Sequence, residues 1–283
     1  MRRLEAAPEE LTRGKLRRVG EGVGKVVFAS EHWVVKRERG GREVAALIIL
    51  YKALRRLEPY FPFVGHWLER PSRRLRLMRV MMQGALRVTP QGLWFTAPVK
   101  DAWMKYHKRS LRGEKLAEEH LAGTPLVPEE IEFPETTVRV SGWPGRMKVT
   151  AATERVEATL FQKLAELAGA ARWDELEQWL ERFLELRQRG WKMGLFSVDP
   201  HLKNFGVIGD RIVLLDSGGV TDRWGEIERR LEFEHVVQQP HVQLGLAPVL
   251  GAHPEIAARF DKRWKAIVNR GVVERHWPAE RTR

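Results

Sequence analysis

At 283 residues, with 43% hydrophobic and 30% charged side chains, the chain has the balance of a globular protein able to bury one large core or two modest ones. It has no cysteine, which excludes disulfides, thiolate zinc sites and cysteine nucleophiles; no run reaches the roughly 18 to 20 uncharged apolar residues of a membrane span, and MRRLEAAPEELTRGK has no apolar stretch behind its arginines, so a cytoplasmic protein is expected. The net charge of +12 excludes an acidic solvating chain and asks what it attracts.

The first informative stretch is RVGEGVGKVVFAS, residues 18–30. A Walker A loop needs GxxxxGK followed by Ser or Thr and then a helix. Here Gly20 to Gly24-Lys25 is one residue short, Val26 follows the lysine, and the continuation VVF favours a strand. The alternatives are a plain hairpin turn or a glycine loop that joins two antiparallel strands over a triphosphate, with a lysine on the next strand. Lys36 at the end of VVK holds that place. VGKVVFASEHWVVKRE predicts two strands around a turn at Ser30 to His32. Gly40-Gly41 breaks the chain, and EVAALIILYKALRRL predicts a helix with its stripe at Leu47, Leu50, Tyr51 and Leu54.

Pro59, Pro62 and Pro71 then interrupt the chain, and no clear period returns before about residue 130. Between His66 and Lys115 twelve Lys or Arg face three acids. Such a segment is either a solvated basic face or an attractor of polyanions, and does not choose among nucleic acid, anionic lipid and phosphorylated sugar. TTVRV-SGWPG-RMKVT predicts a second hairpin, and RVEATLFQKLAELAGA a helix. Asp174 is placed to cap another helix, with its stripe at Leu176, Trp179, Leu180, Phe183 and Leu184 and its end at Gly190. LFSVD and NFGVIGDRIVLLD predict a small hairpin, and the chain from about Arg223 is helical in pattern. The eleven tryptophans read as packing, and no HxxxH or HExxH spacing supports a transition-metal site.

The chemistry concentrates in SVDPHLKNFGVIGDRIVLLDSGG. Asp199 and Asn204 stand five apart, and Asp216 follows twelve later, ahead of Gly218. One carboxylate to orient and deprotonate a hydroxyl, then an amide and a second carboxylate to hold magnesium on phosphates, is what phosphoryl transfer asks for. In these residues the chain resembles the protein-kinase-like superfamily: DxxxxN matches its catalytic loop and Asp216-Ser217-Gly218 its DxG magnesium motif. With His201 the loop also reads DxHxxN, closest in style to aminoglycoside, choline and lipopolysaccharide-core sugar kinases. The resemblance spans about residues 18 to 225, with an unmatched stretch from about 58 to 130.

The resemblance implies an α+β, two-lobed protein-kinase-like fold. A small antiparallel-sheet lobe, residues 1–153 with a basic insertion at about 58–130, would precede a compact, mostly helical lobe at 154–283. It implies ATP and magnesium as cofactors. Gly20, Gly22 and Gly24 would approach the phosphates, Lys36 would bind them with Glu43 or Glu58 as its partner, Asp199 would act on the acceptor, and Asn204 and Asp216 would hold magnesium. Adenine would meet main-chain groups around Ala151 to Glu157. The sequence departs from protein kinases where Ser197-Val198 replaces His-Arg, Ser217 replaces an aromatic, Lys25 replaces a glycine, and no APE motif is found; about sixty residues remain after Asp216, which suits a compact kinase without phosphorylation control. His201 is expected to bond within its own loop, and Lys203 either to meet the migrating phosphoryl group or to face solvent. The partners expected are a nucleotide and a hydroxyl acceptor, a small molecule or an anionic sugar. Peripheral contact with the inner membrane surface would suit the basic segment. An atypical protein kinase, or an inactive kinase-like scaffold that binds polyanions, is the alternative.

Overall fold

The computed structural model describes residues 2–21, 25–38, 60, 86–89, 92–95, 97–142 and 144–278. Gly22, Gly24, Glu43, Glu58 and the helix expected to carry Glu43 lie outside the described residues. The chain is a mixed α+β protein that divides into two compact units, Met1–Lys105 with Glu130–Arg155, and Tyr106–Glu129 with Val156–Arg283. The later part of the basic stretch thus counts with the second unit, and the last crossing falls between Arg155 and Val156.

In the first unit, β1 is Arg2–Arg3, α1 is Glu9–Arg13, and β2 (Lys15–Glu21), β3 (Lys25–Ala29) and β4 (Trp33–Glu38) pair in antiparallel succession. The expected turn closes β3 on β4, where Ser30 N–H donates to the Trp33 carbonyl at 2.9 Å. A separate small hairpin pairs β5 (Leu86–Thr89) with β6 (Gly92–Phe95). The helix α2 (Ala97–Leu121) comes next, and its residues from Tyr106 on belong to the second unit. The second expected hairpin is β7 (Glu130–Val140) and β8 (Arg146–Glu154), turned by Gly142 and Gly145 at φ +77° and +79°, a region where glycine carries no Cβ penalty. Since β8 also pairs with β4, and β7 runs parallel to β2 at Leu16↔Val140, the sheet closes on itself, with β1 added on β7. Period-2 alternation sends Val26, Phe28, Val35, Ile131, Phe133, Val138 and Val140 into one core, joined by Leu11 from α1.

The second unit is helices around two small sheets. β9 (Ala158–Thr159) leads into α3 (Leu160–Gly169), where Thr159 and Gln162 form a reciprocal capping box. α4 (Trp173–Lys192) buries the whole expected stripe. Its ends differ from expectation. Asp174 lies inside the first turn, where its charge meets the helix dipole, and Arg172 precedes the helix with no side-chain cap bond. The helix passes through Gly190 and stops at Gly194, φ +71°, with Gly194 N–H donating to Trp191 O at 2.8 Å and Leu195 N–H to Gly190 O at 2.9 Å, the paired bonds of a Schellman motif.

β10 (Phe196–Ser197) pairs with β13 (Val220–Thr221), and β11 (Phe205–Ile208) forms the expected hairpin with β12 (Arg211–Leu214) while β9 borders it. α5 (Trp224–Val236), α6 (Pro240–Gln243), α7 (Ala247–Leu250), α8 (Pro254–Ile267) and α9 (Arg270–His276) complete the helical carboxy-terminal region. Their core joins Leu164, Phe183, Phe205, Ile227, Leu250 and Trp264. No helix among the described residues is long and apolar enough to cross a membrane.

Candidate functional site

Two loops of the second unit carry the predicted acidic and amide residues. The first leaves β10 at Ser197, passes Asp199 and tightens into a 3-10 turn at Leu202–Asn204 before β11. The second leaves β12 and runs from Leu215 to Gly219 before β13. The β10–β13 pairing sets Ser197 opposite Val220, and Val198 N–H donates to the Gly219 carbonyl at 2.9 Å, so the loops emerge side by side. The approach is close: a Cβ on Gly219 would stand 3.1 Å from Asp199 Cβ and 3.2 Å from its backbone nitrogen.

Asn204 joins the two loops through its backbone and its side chain. Its carbonyl accepts from Leu215 N–H at 2.8 Å and Asp216 N–H at 3.3 Å, while its Nδ2 donates to the Asp199 carbonyl at 3.1 Å. That bond fixes the amide so that Oδ1 is the atom left to face a cation. Asp216 Oδ1 accepts Gly218 N–H at 3.0 Å, a local turn that orients the carboxylate. The structure therefore brings Asp199, Asn204 and Asp216 together, both carboxylates being exposed. Two carboxylates and an amide oxygen are hard donors that fit magnesium and suit no soft metal.

His201 hydrogen-bonds within the loop, Nδ1 accepting Lys203 N–H at 3.3 Å. Its ring lies against Gly245, where a Cβ would stand 2.6 Å from Nε2 and φ is +84°, so two constraints demand glycine there. Burial, helped by the Lys203 charge and opposed by Asp199, pushes the imidazole pKa below its ordinary value. The native state therefore holds fewer protons than the unfolded chain once pH falls below the ordinary histidine range, and stability falls from there down through the native pKa. Melting curves between about pH 8 and pH 5 are expected to fall more steeply for the native chain than for His201→Gln; equal slopes would refute this. Lys203 is exposed, its ammonium 5.0 Å from the Phe161 ring centroid.

The support behind the loops includes residues the motif reading missed. Arg187, 6% exposed on α4, donates through Nη2 to the Ser197 carbonyl at 3.3 Å, and Ser197 Oγ donates to the Asp199 carbonyl at 3.2 Å. Its signal was legible: position 187 continues the stripe of Phe183 and Leu184 toward Trp191, so a charge there falls on the core face. α2 was not predicted, and it packs on the second loop. A Cβ on Gly113 would stand 2.3 Å from the Ser217 carbonyl oxygen, and one on Gly218 would meet Ser110 Oγ at 2.6 Å. Arg112 pairs with Asp222, and Arg109 lies 3.8 Å from Glu226. Two charges of the basic segment thus hold structure, leaving fewer for a polyanion.

In the first unit, Gly20 sits in β2 beside a bulge, where a Cβ would meet only Val27 at an ordinary 3.8 Å. Lys36 is exposed on β4, opposite Val27 and next to the buried Val35. Gly22, Gly24 and Glu43 lie outside the described residues. No protein-family model matches the chain, and no curated protein matches it.

Proposed function

We propose that the chain is an ATP- and magnesium-dependent phosphotransferase of two-lobed, protein-kinase-like fold, acting in the cytoplasm on a hydroxyl of a small molecule or anionic sugar. The observation that carries this is the loop pair in which Asn204 is bonded to both Asp199 and Asp216. In this reading the Asp199 carboxylate orients the acceptor hydroxyl and takes its proton, where general-base action is worth about 10²–10⁴-fold. Asn204 Oδ1 and the Asp216 carboxylate would hold magnesium, whose chemistry there would be to offset charge on the phosphoryl oxygens. Lys36 and the glycine strand-loop around Gly20 bind the phosphates. Holding the reactants in line supplies the rest of the acceleration, for phosphoryl transfer asks for position and charge more than covalent chemistry.

The test is the melting temperature with ATP and magnesium together, each alone and neither, for the native chain and Asp216→Ala. Ligand at a hundred times its dissociation constant stabilises by about 2.7 kcal/mol, a few degrees for a chain of this size. A shift that requires magnesium and disappears in Asp216→Ala is the expected result. No shift in the native chain would overturn the reading in favour of a scaffold without nucleotide.

A further inference from the structure

On the outer face of the first unit's sheet the charges are segregated. Along β7, Glu130, Glu132 and Glu135 occupy the first half and Arg139 the end, all exposed. At that end the register sets cation beside cation: Lys15 on β2 stands opposite Arg139, and Arg139 stands opposite Arg146 on β8. The next pair along, Leu16 and Val140, is buried, so the three cations share the outward face, and Arg17, two residues after Lys15 on β2, shares it too. Opposed side chains on neighbouring strands stand about 5 Å apart, and like charges so placed destabilise a sheet.

The surrounding cations are compensated. Arg13 pairs with Glu9, and Lys148 with Glu135 at 2.6 Å. Lys15, Arg17, Arg139 and Arg146 have no carboxylate partner among the described residues; Arg139 Nη2 donates to the Arg13 carbonyl at 2.6 Å. This leaves a compact patch of positive potential, to which the basic stretch between His66 and Lys115 contributes nothing. Its shape selects among polyanions. The outside of a sheet closed on itself is convex and offers no groove to track a nucleic-acid backbone, and β2, β7 and β8 expose no aromatic ring on which a base could stack, Phe133 being buried. A plane of charged headgroups needs neither. Val19, 50% exposed and two residues beyond Arg17, adds an apolar contact of the kind a headgroup boundary accepts.

We propose that this end of the sheet docks on an anionic lipid bilayer, with Lys15, Arg17, Arg139 and Arg146 meeting the headgroup phosphates and carboxylates. The acidic half of β7 is repelled by the same surface, so the contact is confined to the end that carries the β7–β8 turn. The docking surface does not depend on the phosphotransfer reading.

The test is sedimentation of the full chain with phosphatidylcholine vesicles, with and without about a third phosphatidylserine, in about 0.1 M salt. Binding that requires the anionic lipid is expected. Each cation near such a surface is worth about fivefold in partitioning, so the triple variant Lys15→Gln, Arg139→Gln, Arg146→Gln should lose about a hundredfold. A control with the same change of net charge, Lys192→Gln, Lys262→Gln, Arg275→Gln, removes exposed cations of the second unit and should bind within about threefold of the native chain. Because the first variant relieves opposed like charges, it should melt no lower than the native chain. Should it not fold, acetylation of the native chain reads the same contact: vesicles should protect Lys15 and leave Lys192 and Lys262 reactive. No binding to the anionic vesicles, equal loss in the two variants, or equal protection of the three lysines would overturn the proposal. Tighter binding to duplex DNA at the same salt, lost in the first variant, would overturn it too and assign the patch to nucleic acid.

Discussion

Replacing Gly113 by alanine is expected to lower the melting temperature by several degrees and, if the proposed phosphotransferase function holds, to weaken magnesium-dependent nucleotide binding at least about tenfold, 1.4 kcal/mol. In an open helix the change would stabilise by about 1 kcal/mol, since glycine is the weaker helix former. Here the new methyl would stand 2.3 Å from the Ser217 carbonyl oxygen, 2.9 Å from that of Val220 and 3.1 Å from the Gly218 carbonyl carbon. All three are backbone atoms that no rotamer change removes, so either α2 or the Asp216 loop must move. Overpacking of this kind costs about 1–3 kcal/mol, more than the propensity gain, and each kcal/mol is worth about 2–4 °C. The Arg112–Asp222 pair and Arg109 beside Glu226 keep the helix from sliding away, so the displacement falls on the loop. Melting curves with and without magnesium and ATP read both effects, with Ser110→Ala as the variant expected to keep the nucleotide shift. If Gly113→Ala melts like the native chain and retains the full shift, helix and loop are not coupled through this contact.

Gly113 also shows why part of the fold was not legible in the sequence. Among the described side chains of α2 the buried ones are Gly113, Leu116, Ala117 and Leu121, two leucines diluted by a glycine and an alanine, while Leu111 is 50% exposed. A mid-helix glycine argues locally against helix, and the reason for it is a loop a hundred residues away. The hairpins β3–β4 and β7–β8 were legible because alternation and local turns specify them. Closure of the sheet was not, since the parallel β2–β7 contact pairs only two residues of each strand across more than a hundred positions. The convergence of Asp199, Asn204 and Asp216 was legible because a short turn and a hairpin of fixed length separate them, leaving the chain little choice of where the second loop returns. The support beneath them was not read in advance, although an arginine on the apolar stripe of α4 announced it.

Glu234→Gln is expected to destabilise the second unit by about 3–5 kcal/mol, the cost of stripping a buried charge of its partner, and so to lower the melting temperature by about 10 °C. The glutamine retains an oxygen for the Trp264 indole N–H, so the loss is not one of hydrogen bonding alone. What disappears is the only buried negative charge among the described residues, leaving Arg187, 6% exposed, and Arg230 without a carboxylate. Bulk salt substitutes poorly at Arg187, which is shielded from it, and better at Arg230, whose side chain is 21% exposed. Trp264→Phe probes the other contributions: it keeps all three charges but removes the hydrogen bond together with buried ring volume and ring contact with Arg187, for which about 2–3 kcal/mol is expected. Chemical denaturation of the two variants beside the native chain gives the cost of removing the charge and the cost of truncating the indole as two separate values. Should Glu234→Gln cost less than about 1 kcal/mol, the worth of an ordinary hydrogen bond, the buried Arg187 guanidinium would not be drawing its compensation from this carboxylate.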